Sequence, residues 1–541
     1  MTPSEYGSRR ILSPRVNGHK VLLGVGKPGG ISYILIQLKF DIQSDRRIAQ
    51  GRSCAWSDYS RKKMDYEAVI GLETHVQLST KTKIFCSCST TFGAEPNANT
   101  CPVCLGMPGV LPVLNLEVLN RAIKVGLAVG GKIAEWTKFD RKNYFYPDLP
   151  KGYQISQYDL PIVSGGGLDI FADNAHKTIG LTRIHMEEDA GKLVHGENMG
   201  DPSSSYVDLN RTGVPLLEIV SEPDIRSSEE ARRYMDKLKT ILQYLEVSDC
   251  NMEEGSLRCD ANISIRPVGQ KEFGTRAEIK NVNSFRFLQR AIDFEIRRQT
   301  ELLNEGGTVV QETRLYDEKN DRTVSMRSKE EAHDYRYFPD PDLAPMVIGK
   351  DWVERIRATL PELPDEKAKR FMAEYELPEY DALVLCSTRA TADYFEQAAR
   401  GAKSPKIISN WVMGEVLRVV KETGAAPADL PVTPAMLSKM VGMIDSGAIS
   451  GKIAKTVFEE MAQSGLDPEK IVEQKGLTQI TDTSSIEGEV DKILAANPSQ
   501  VADYKAGKDK LIGFFVGQVM RATRGKASPD MVNQILKEKL K

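Results

Sequence analysis

An acid, an imidazole and four cysteines lie within one short stretch of the sequence, EAVIGLETHVQLSTKTKIFCSCSTTFGAEPNANTCPVCLGMPG, residues 67–109. Successive side chains of a strand face opposite sides, so Glu73 and His75 are expected to share one face. Leu72, Thr74 and Val76 share the other face and are expected to be buried. The stretch therefore offers two possible metal environments, one made of thiols and one mostly of oxygens.

The cysteines form two pairs, Cys86-x-Cys88 and Cys101-Pro-Val-Cys104, separated by twelve residues. This spacing is typical of a structural zinc site, whose four thiolate ligands leave no open position for chemistry. Four unligated thiols lining a loop are the alternative. The pattern favours zinc in an architectural role.

Further acids occupy the polar faces of predicted strands, and they are Glu187, Glu188, Glu218, Asp260 and Glu278. An isolated surface acid is usually only solvated. Glu218, however, lies inside an apolar run, where an unpaired charge would be costly. Carboxylates with a single imidazole suit Mg²⁺, and no HExxH zinc motif is present. Interleaved cations that suit phosphate groups are Arg258, Arg266, Arg276 and Lys280.

Two other regions have residue types suited to nucleic acid. Aromatic and basic side chains alternate in Phe139–Pro161, where Tyr144 and Tyr146 could stack on unpaired bases. A proline-rich loop that covers the core explains them equally well. Lys505–Lys541 has nine basic residues against three acids, which is either a solvated face or a contact to a phosphate backbone. Its candidate contacts are Lys508, Lys510, Arg521, Arg524 and Lys526.

The elements that must position these residues change in character along the chain. A β-rich unit is predicted over 66–350, where short alternating strands predominate. It also contains a few helices, among them 116–129 and 227–245. Helices with short linkers predict an all-α unit over 351–468 and a small helical unit over 469–541. The fold class expected is α+β.

Residues 1–65 have twelve Lys or Arg against five acids and no clean helical period. They are either a basic targeting segment or an over-extended reading frame with Met64 as the true start. The second interpretation is favoured because a transit peptide should be more amphipathic and richer in serine. Such an extension is not expected to contribute to the fold.

Composition narrows the classes of function. A chain of 541 residues with 41% hydrophobic residues and a net charge of −3 is expected to be globular, with several domains and any polyanion contact confined to a local patch. No apolar run reaches the roughly 20 residues of a membrane helix. Eight cysteines, half of them in one window, favour a metal site in a reducing compartment, here the cytoplasm, over disulfides.

The motifs that are missing also matter. The sequence has no Walker lysine loop, no GxSxG elbow, no serine-rich amidase loop and no convincing Cys/His nucleophile pair. Metal-binding acids and phosphate-binding cations without a nucleophile indicate carboxylate activation or phosphoryl transfer. A covalent hydrolase is not expected.

At this level of detail the motifs resemble a known family. VIGLETHVQL, FDRKNYFYPDLPKGYQISQ, IHMEEDAGK, VPLLEIVSEPDI, MEEGSLRCDANIS, EIKNVNSF and DYRYFPDPDL together resemble the B subunits of aspartyl/glutamyl-tRNA amidotransferases. The resemblance extends from about residue 66 to the end, in order and without large gaps. Residues 1–63 have no counterpart in it.

The resemblance implies a reaction and partners. Such proteins use ATP to phosphorylate the side-chain carboxylate of Glu or Asp misacylated onto tRNA(Gln) or tRNA(Asn), and ammonia then displaces the phosphate. An amidase-type A subunit supplies ammonia from glutamine, and a small C subunit completes a heterotrimer. The implied fold is a β-rich cradle, a helical domain and a tail similar to the YqeY protein that contacts tRNA.

The resemblance also implies roles for residues of this chain. His75, Glu188 and Glu218 match the family's Mg²⁺ ligands. The acids that match the rest of the pocket and the ammonia route are Glu73, Glu187, Asp260 and Glu278. Some members lack the cysteine quartet, so zinc is not part of the shared chemistry. Two alternatives remain, a zinc-bearing tRNA-binding scaffold without chemistry and a Mg²⁺-dependent nuclease.

Overall fold

The structure is a computed structural model that describes residues 65–173, 175–196, 203–328, 335–477, 483–523 and 527–541. The predicted N-terminal extension, residues 1–65, lies outside the described residues except for Asp65. The chain combines a large sheet with many helices, so the predicted α+β class is confirmed.

Among the described residues, the strands all lie in the N-terminal region. Their bounds are β1 Tyr66–Gln77, β2 Lys132–Ile133, β3 Trp136–Thr137, β4 Asp140–Asn143, β5 Tyr153–Ser156, β6 Val163–Ser164, β7 Gly167–Ala172, β8 Ala175–Glu188, β9 Lys192–His195, β10 Ser205–Asp208, β11 Pro215–Ser221, β12 Leu257–Pro267, β13 Ala277–Lys280, β14 Glu312–Asp317, β15 Arg322–Ser328, β16 Phe338–Pro339 and β17 Met346–Val347. The helices among and after them are α1 Leu116–Ala128, α2 Ser228–Tyr244, α3 Phe285–Asn304 and α4 Lys350–Arg357.

The central sheet has the strand order β15-β14-β13-β12-β1-β11-β8-β6-β2, with β7 paired to β8. Only β13 and β14 run parallel among its described pairs. β1 lies in the middle, between β11 and β12, and alternates buried and partly exposed residues as predicted. The helices α1, α2 and α3 pack on its apolar face, where Ile70 and Leu72 are fully buried. The opposite, polar face of β1 is therefore left for a site.

Local signals explain where the covering helices begin. Asn115 precedes α1, and its side-chain oxygen accepts a hydrogen bond from the backbone N–H of Glu117 at 3.0 Å. Ser227 caps α2 in the same way through the N–H of Glu230 at 3.1 Å. Such caps satisfy backbone donors that the first turn leaves without partners. The two helices predicted from these residues are confirmed.

The C-terminal region is helical. Its helices are α5 Pro364–Glu374, α6 Glu379–Leu385, α7 Arg389–Ala399, α8 Pro405–Trp411, α9 Leu417–Thr423, α10 Pro434–Asp445, α11 Gly451–Ser464, α12 Pro468–Lys475, α13 Thr483–Ala496, α14 Pro498–Lys505, α15 Ile512–Ala522 and α16 Pro529–Leu540. A π-helical turn, Val412–Val416, joins α8 to α9. No helix in the described part of the chain is long and apolar enough to cross a membrane.

Within the described residues the buried apolar side chains form three clusters. One runs from Ala68 to Ile356, a second from Ala368 to Val472 and a third from Ile486 to Leu540. The first two clusters extend past the predicted boundaries, because Ile356 lies beyond residue 350 and Ile471 and Val472 lie beyond residue 468. The third cluster lies within the predicted unit 469–541, and the exact domain boundaries remain a prediction.

Candidate active site

The register of the central sheet creates a row of polar side chains across four strands. His75 of β1 lies opposite Glu218 of β11 and Arg258 of β12. Glu218 in turn lies opposite His185 of β8. Directly paired residues of antiparallel strands point to the same face, so these side chains meet. Glu218 Oε2 is 3.5 Å from His75 Nε2 and 3.2 Å from His185 Nε2.

Glu187 joins this row from the end of β8. It follows His185 by two residues and therefore shares its face. Its Oε1 is 3.6 Å from His75 Nε2. One ligand atom from each of His75, Glu187 and Glu218 lies within 4.8 Å of the others, and we call these three residues the His–Glu cluster. One imidazole nitrogen with two carboxylate oxygens fits a divalent cation of the Mg²⁺ class.

Glu188 points elsewhere, because it occupies the opposite face of β8. Its Oε1 accepts a hydrogen bond from the backbone N–H of Ile155 at 2.8 Å and contacts the ammonium of Lys151. The resemblance predicts Glu188 as a metal ligand and Glu187 as a neighbouring acid. In the structure Glu187 lies in the cluster and Glu188 lies against Lys151 and Ile155, and which of the two binds the metal stays a prediction.

The opposite charges within the cluster shift the pKa values of its members. Burial would raise the pKa of Glu218, but the neighbouring His185 and His75 lower it well below its usual range. Burial would lower the pKa of His75, and the hydrogen bond to Glu218 and the charge of Glu187 raise it instead. The cluster therefore holds the Glu218 carboxylate in its ionised form in a largely buried position.

The remaining predicted acids form a second row along the same face. Glu73 lies opposite Asp260, and Lys280 Nζ bridges Asp260 at 2.6 Å and Glu278 at 3.0 Å. Asn262 donates to Glu73 Oε1 at 2.9 Å. Burial, followed by the charges of Glu218, Glu278 and Asp260, raises the pKa of Glu73. These polar groups lie next to the His–Glu cluster.

The four predicted phosphate-binding cations are not equivalent. Arg258 lies beside the His–Glu cluster and donates to Asp189 at 2.9 Å, while Lys280 is held by the second row. Arg266 pairs with Glu67, which lies eight residues before His75, or roughly 26 Å along the strand. Arg276 is exposed and has no ion pair among the described residues. The structure thus brings Arg258 and Lys280 near the cluster and keeps Arg266 away from it.

Sequence reasoning missed two residues of β8, Arg183 and His185. Arg183 lies opposite Val220, diagonally across from Glu218 on the same face. Arg183 Nε and His185 Nδ1 are buried without a hydrogen-bond partner, as is the Nε of Arg258. The alternation of residues 183, 185 and 187 is the signal in the sequence that could have found them, because it places all three on one face of the strand.

The predicted aromatic segment, Phe139–Pro161, borders the His–Glu cluster on the side of Glu187. Tyr144 donates to Gln154 at 3.1 Å, and Tyr146 is 54% exposed. Lys142 Nζ lies 4.9 Å from the ring centre of Tyr335. Burial opposes the charge of Lys142, but the nearby Glu187 and Glu218 raise its pKa. The segment is therefore part of the site as well as a partial cover of the core.

The four cysteines come together as predicted. Cys104 Sγ is 3.6 Å from Cys86 Sγ and 3.8 Å from Cys101 Sγ. All four sulfur atoms lie within 4.8 Å of one another. Tetrahedral zinc with Zn–S bonds of about 2.3 Å needs sulfur–sulfur edges of about 3.8 Å. The thiols therefore form a possible metal site of the expected tetrahedral type.

A buried lysine stabilises the cysteine cluster. Lys83 is fully buried, and its Nζ donates to the carbonyl of Asn99 at 2.7 Å and to Cys104 Sγ at 3.4 Å. The hydrogen bond from Cys86 and the charge of Lys83 lower the pKa of Cys104. A cation beside thiolates offsets part of their negative charge, as expected around a metal-binding quartet.

The predicted tRNA-binding cations of the tail fall in two groups. Lys508, Lys510 and Arg521 are exposed, and Lys508 pairs with Asp503 at 3.1 Å. Arg524 and Lys526 lie outside the described residues.

Comparison with known proteins gives consistent matches along the chain. Residues 68–354 match the family described as the GatB/GatE catalytic domain, and residues 393–540 match the family described as the GatB domain. The first match covers the strands of the His–Glu cluster and the cysteine quartet. The second covers most of the C-terminal helices.

Curated relatives are similar over nearly their whole length. The chain is 62% identical over 476 residues to a Carboxydothermus hydrogenoformans protein, covering 88% of this chain and 99% of the relative. It is 62% identical over 478 residues to a Geobacter sulfurreducens protein, covering 88% of this chain and 100% of the relative. Both relatives are named as the B subunit of an aspartyl/glutamyl-tRNA(Asn/Gln) amidotransferase.

Proposed function

Since this chain belongs to the GatB/GatE family, we propose that it is the B subunit of a glutamine-dependent tRNA amidotransferase. It would convert Glu-tRNA(Gln), Asp-tRNA(Asn) or both to the amidated forms in the cytoplasm. The partners would be an amidase-type A subunit and a small C subunit. The observation that carries the proposal is the convergence of His75, Glu187 and Glu218 on one polar sheet face.

The reaction has two transfers. An oxygen of the substrate carboxylate attacks the γ-phosphorus of ATP, the bond to the β-phosphate oxygen breaks and ADP leaves. Ammonia then attacks the carbonyl carbon of the acyl phosphate, and inorganic phosphate leaves with the electrons of the broken C–O bond. Neither transfer requires a protein nucleophile, which agrees with the absence of one from the sequence motifs.

The chain's residues would position the reactants. His75, Glu187 and Glu218 would hold Mg²⁺, with Glu188 orienting the adjacent backbone. The bound ion would neutralise charge on the phosphate and carboxylate oxygens. Arg258 and Arg183 flank the cluster with buried, unpartnered Nε–H groups that suit phosphoryl oxygens.

The second row would serve the ammonia step. Glu73, Asp260, Lys280 and Glu278 form a chain of polar groups next to the cluster. Such groups can hydrogen-bond ammonia and take up a proton as the amide forms. The cysteine quartet would hold a structural Zn²⁺ that braces the loop and takes no part in catalysis.

The test is amidation by the chain assembled with its A and C partners. With ATP, ammonium and Glu-tRNA(Gln) or Asp-tRNA(Asn), we expect ATP-dependent amidated tRNA. His75→Ala should abolish the product while tRNA binding is retained, because the imidazole belongs to the cluster. Activity of this variant at the normal rate would contradict the site.

A metal-binding measurement distinguishes the roles proposed for Glu187 and Glu188. Mn²⁺ affinity, followed by electron paramagnetic resonance, should fall in Glu187→Gln by more than the roughly 10–100-fold that is typical of losing an outer-shell partner, and it should fall less in Glu188→Gln. No amidated product from the wild-type assembly would favour the scaffold alternative, and shortened tRNA would favour a nuclease. The described residues offer one His–Glu cluster and one thiol cluster, which does not favour a two-metal nuclease.

A further inference from the structure

The lysine beside the cysteine quartet is buried without a carboxylate partner. Lys83 is fully buried, and its Nζ donates to the carbonyl oxygens of Asn99 and Leu209 and to Cys104 Sγ. In the part of the chain that the structure describes, Lys83 forms no ion pair with an Asp or Glu. Four thiolates around a Zn²⁺ ion leave a net negative charge, whereas four neutral thiols supply none. Because a buried ammonium without an opposite charge is costly, Lys83 depends on the thiolates for its counter-charge.

The segment 209–213 connects the cysteine loop to the end of β8. The Lys83 ammonium donates to the carbonyl at the start of this segment, at 3.3 Å. The backbone N–H of Ile84 donates to the carbonyl of Gly213, at its end, at 2.9 Å. The N–H of Gly213 in turn donates to the carbonyl of Asp189 at 2.9 Å. Two adjacent residues of the loop therefore hold both ends of the segment, and the segment holds the backbone of Asp189.

The side chain of Asp189 extends this connection to the polar face of the sheet. It is buried, and its Oδ2 accepts hydrogen bonds from Gln77 Nε2 at 2.8 Å and from Arg258 Nη2 at 2.9 Å. Arg258 lies opposite His75 in the register of β1 and β12, and its Nε is buried without a hydrogen-bond partner. A guanidinium is planar, so a carboxylate that holds one N–H group fixes the direction of the others. A displacement of Asp189 would therefore turn Arg258 away from its position beside His75.

We propose that Lys83 is a positioning residue for Arg258, and that it holds this position only while the cysteine quartet is negatively charged. With that charge present, the ammonium stays buried and holds the segment 209–213. Without it, the ammonium turns toward solvent, and the segment, Asp189 and Arg258 lose their fixed arrangement. This inference rests on the proposed function, in which Arg258 contacts phosphate, and adds to it a connection from the cysteine quartet to that contact.

Two matched variants of the quartet separate the effect of charge from that of the metal. Cys86→Ser is combined with Cys104→Ser in one and with Cys104→Asp in the other, and both are dialysed against a chelator until metal analysis finds no zinc. In the complex assembled with the A and C subunits and Mg²⁺, the serine variant should raise the Kd for ATP, measured by calorimetry, by about tenfold, the loss of one charge-assisted hydrogen bond. The aspartate variant should keep the wild-type Kd, because its carboxylate restores a negative charge beside Lys83. By hydrogen exchange, the Gly213 amide should lose protection only in the serine variant.

A double-mutant cycle tests the connection between the lysine and the arginine. Arg258→Gln sets the loss of ATP affinity when the guanidinium is absent, and Lys83→Met should give a loss of similar size. The double variant should lose no more than Arg258→Gln alone, because both substitutions remove the same contact. Lys81→Met is the matched control, at an exposed lysine of the same loop, and should keep the wild-type Kd. The quartet variants, which retain Lys83, decide the matter if Lys83→Met does not fold.

Three outcomes would overturn this inference and leave the proposed function standing. Equal losses in the serine and aspartate variants would mean that the metal, and not the charge beside Lys83, supports the site. Unchanged ATP affinity in both would mean that the quartet is not connected to Arg258. Additive losses in the cycle would mean that Lys83 and Arg258 act independently. A wild-type complex that binds ATP but forms no amidated tRNA would instead overturn the proposed function.

Discussion

His185 and Glu187 show how one strand face selects the residues of the site. Both point toward His75 and Glu218, while Glu188, the next residue, is buried against Lys151 and Ile155. Adjacent glutamates in one motif therefore have different surroundings. Alternation along β8 places the Glu187 carboxylate beside His75 and the Glu188 carboxylate against the backbone N–H of Ile155.

Glu73 gives a test of the like charges on this face. Burial and its acidic neighbours raise the pKa of Glu73 above the usual 4.5, so the folded protein binds this proton more tightly than the unfolded chain. The free energy of unfolding therefore falls as pH rises from 4.5 through the raised folded pKa. Glu73→Gln should stabilise the protein at neutral pH by about 1 kcal/mol, and the gain should vanish on acidification.

Thermal unfolding between pH 4 and pH 8 measures this difference. The matched control is Glu67→Gln on the same face, where the carboxylate pairs with Arg266 at 2.6 Å. Its substitution removes a favourable partner and should give no stabilisation. Equal effects of the two substitutions at neutral pH would mean that like charges do not strain the site.

At the scale of elements, the cysteine turn braces the strands of the site. Gly106 follows the last two cysteines with φ +61°, and a Cβ there would lie 3.1 Å from the Cα of Lys151. Lys151 in turn contacts the Glu188 carboxylate. The loop therefore packs against the residue that positions the end of β8, without contributing a ligand to the His–Glu cluster.

Gly106→Ala should disturb this brace while all four thiols remain in place. The added Cβ would meet both the side chain and the backbone of Lys151, and overpacking of this kind costs about 1–3 kcal/mol. Gly93→Ala is the control, because Gly93 also has positive φ, +79°, but nothing lies within 4 Å of its Cβ position. We expect a lower melting temperature for Gly106→Ala than for the control, with zinc content equal in both. Equal melting temperatures would show that the turn and Lys151 are not tightly packed.

In the molecule as a whole, the elements of the His–Glu cluster and those of the tail belong to different hydrophobic cores. The cluster of Ile486 to Leu540 gives the tail its own core among the described residues. Its exposed cations lie on elements that contribute no residue to the His–Glu cluster. Chemistry and the proposed tRNA contact can therefore be altered independently.

Charge reversal in the tail tests this separation. Lys510→Glu with Arg521→Glu should weaken tRNA binding and reduce the slope of log K against log salt by about 1 for each phosphate that is no longer neutralised. Mn²⁺ and ATP affinities should not change. Lys455→Glu, at a lysine that is 70% exposed on α11, is the control and should keep the wild-type salt slope. A tail variant with that same slope would remove these two residues from the tRNA contact.

The sequence alone determined the features that depend on local pattern. Period-two alternation placed Glu73 and His75 on the polar face of β1, capping residues located α1 and α2, and cysteine spacing located the thiol quartet. Each of these follows from neighbours within a few residues, where backbone geometry is regular. The long motifs by themselves also indicated the family.

Only the tertiary structure decided which distant residues meet. The registers of β8 against β11 and of β11 against β1 brought Glu187 and His185 near His75. Ion pairs of β12 and β13 join Arg258, Arg266 and Lys280 to Asp189, Glu67 and Asp260. Strand register depends on long-range pairing, and a shift of one residue turns every side chain to the other face. The different surroundings of Glu187 and Glu188 could therefore not be read from the motifs alone.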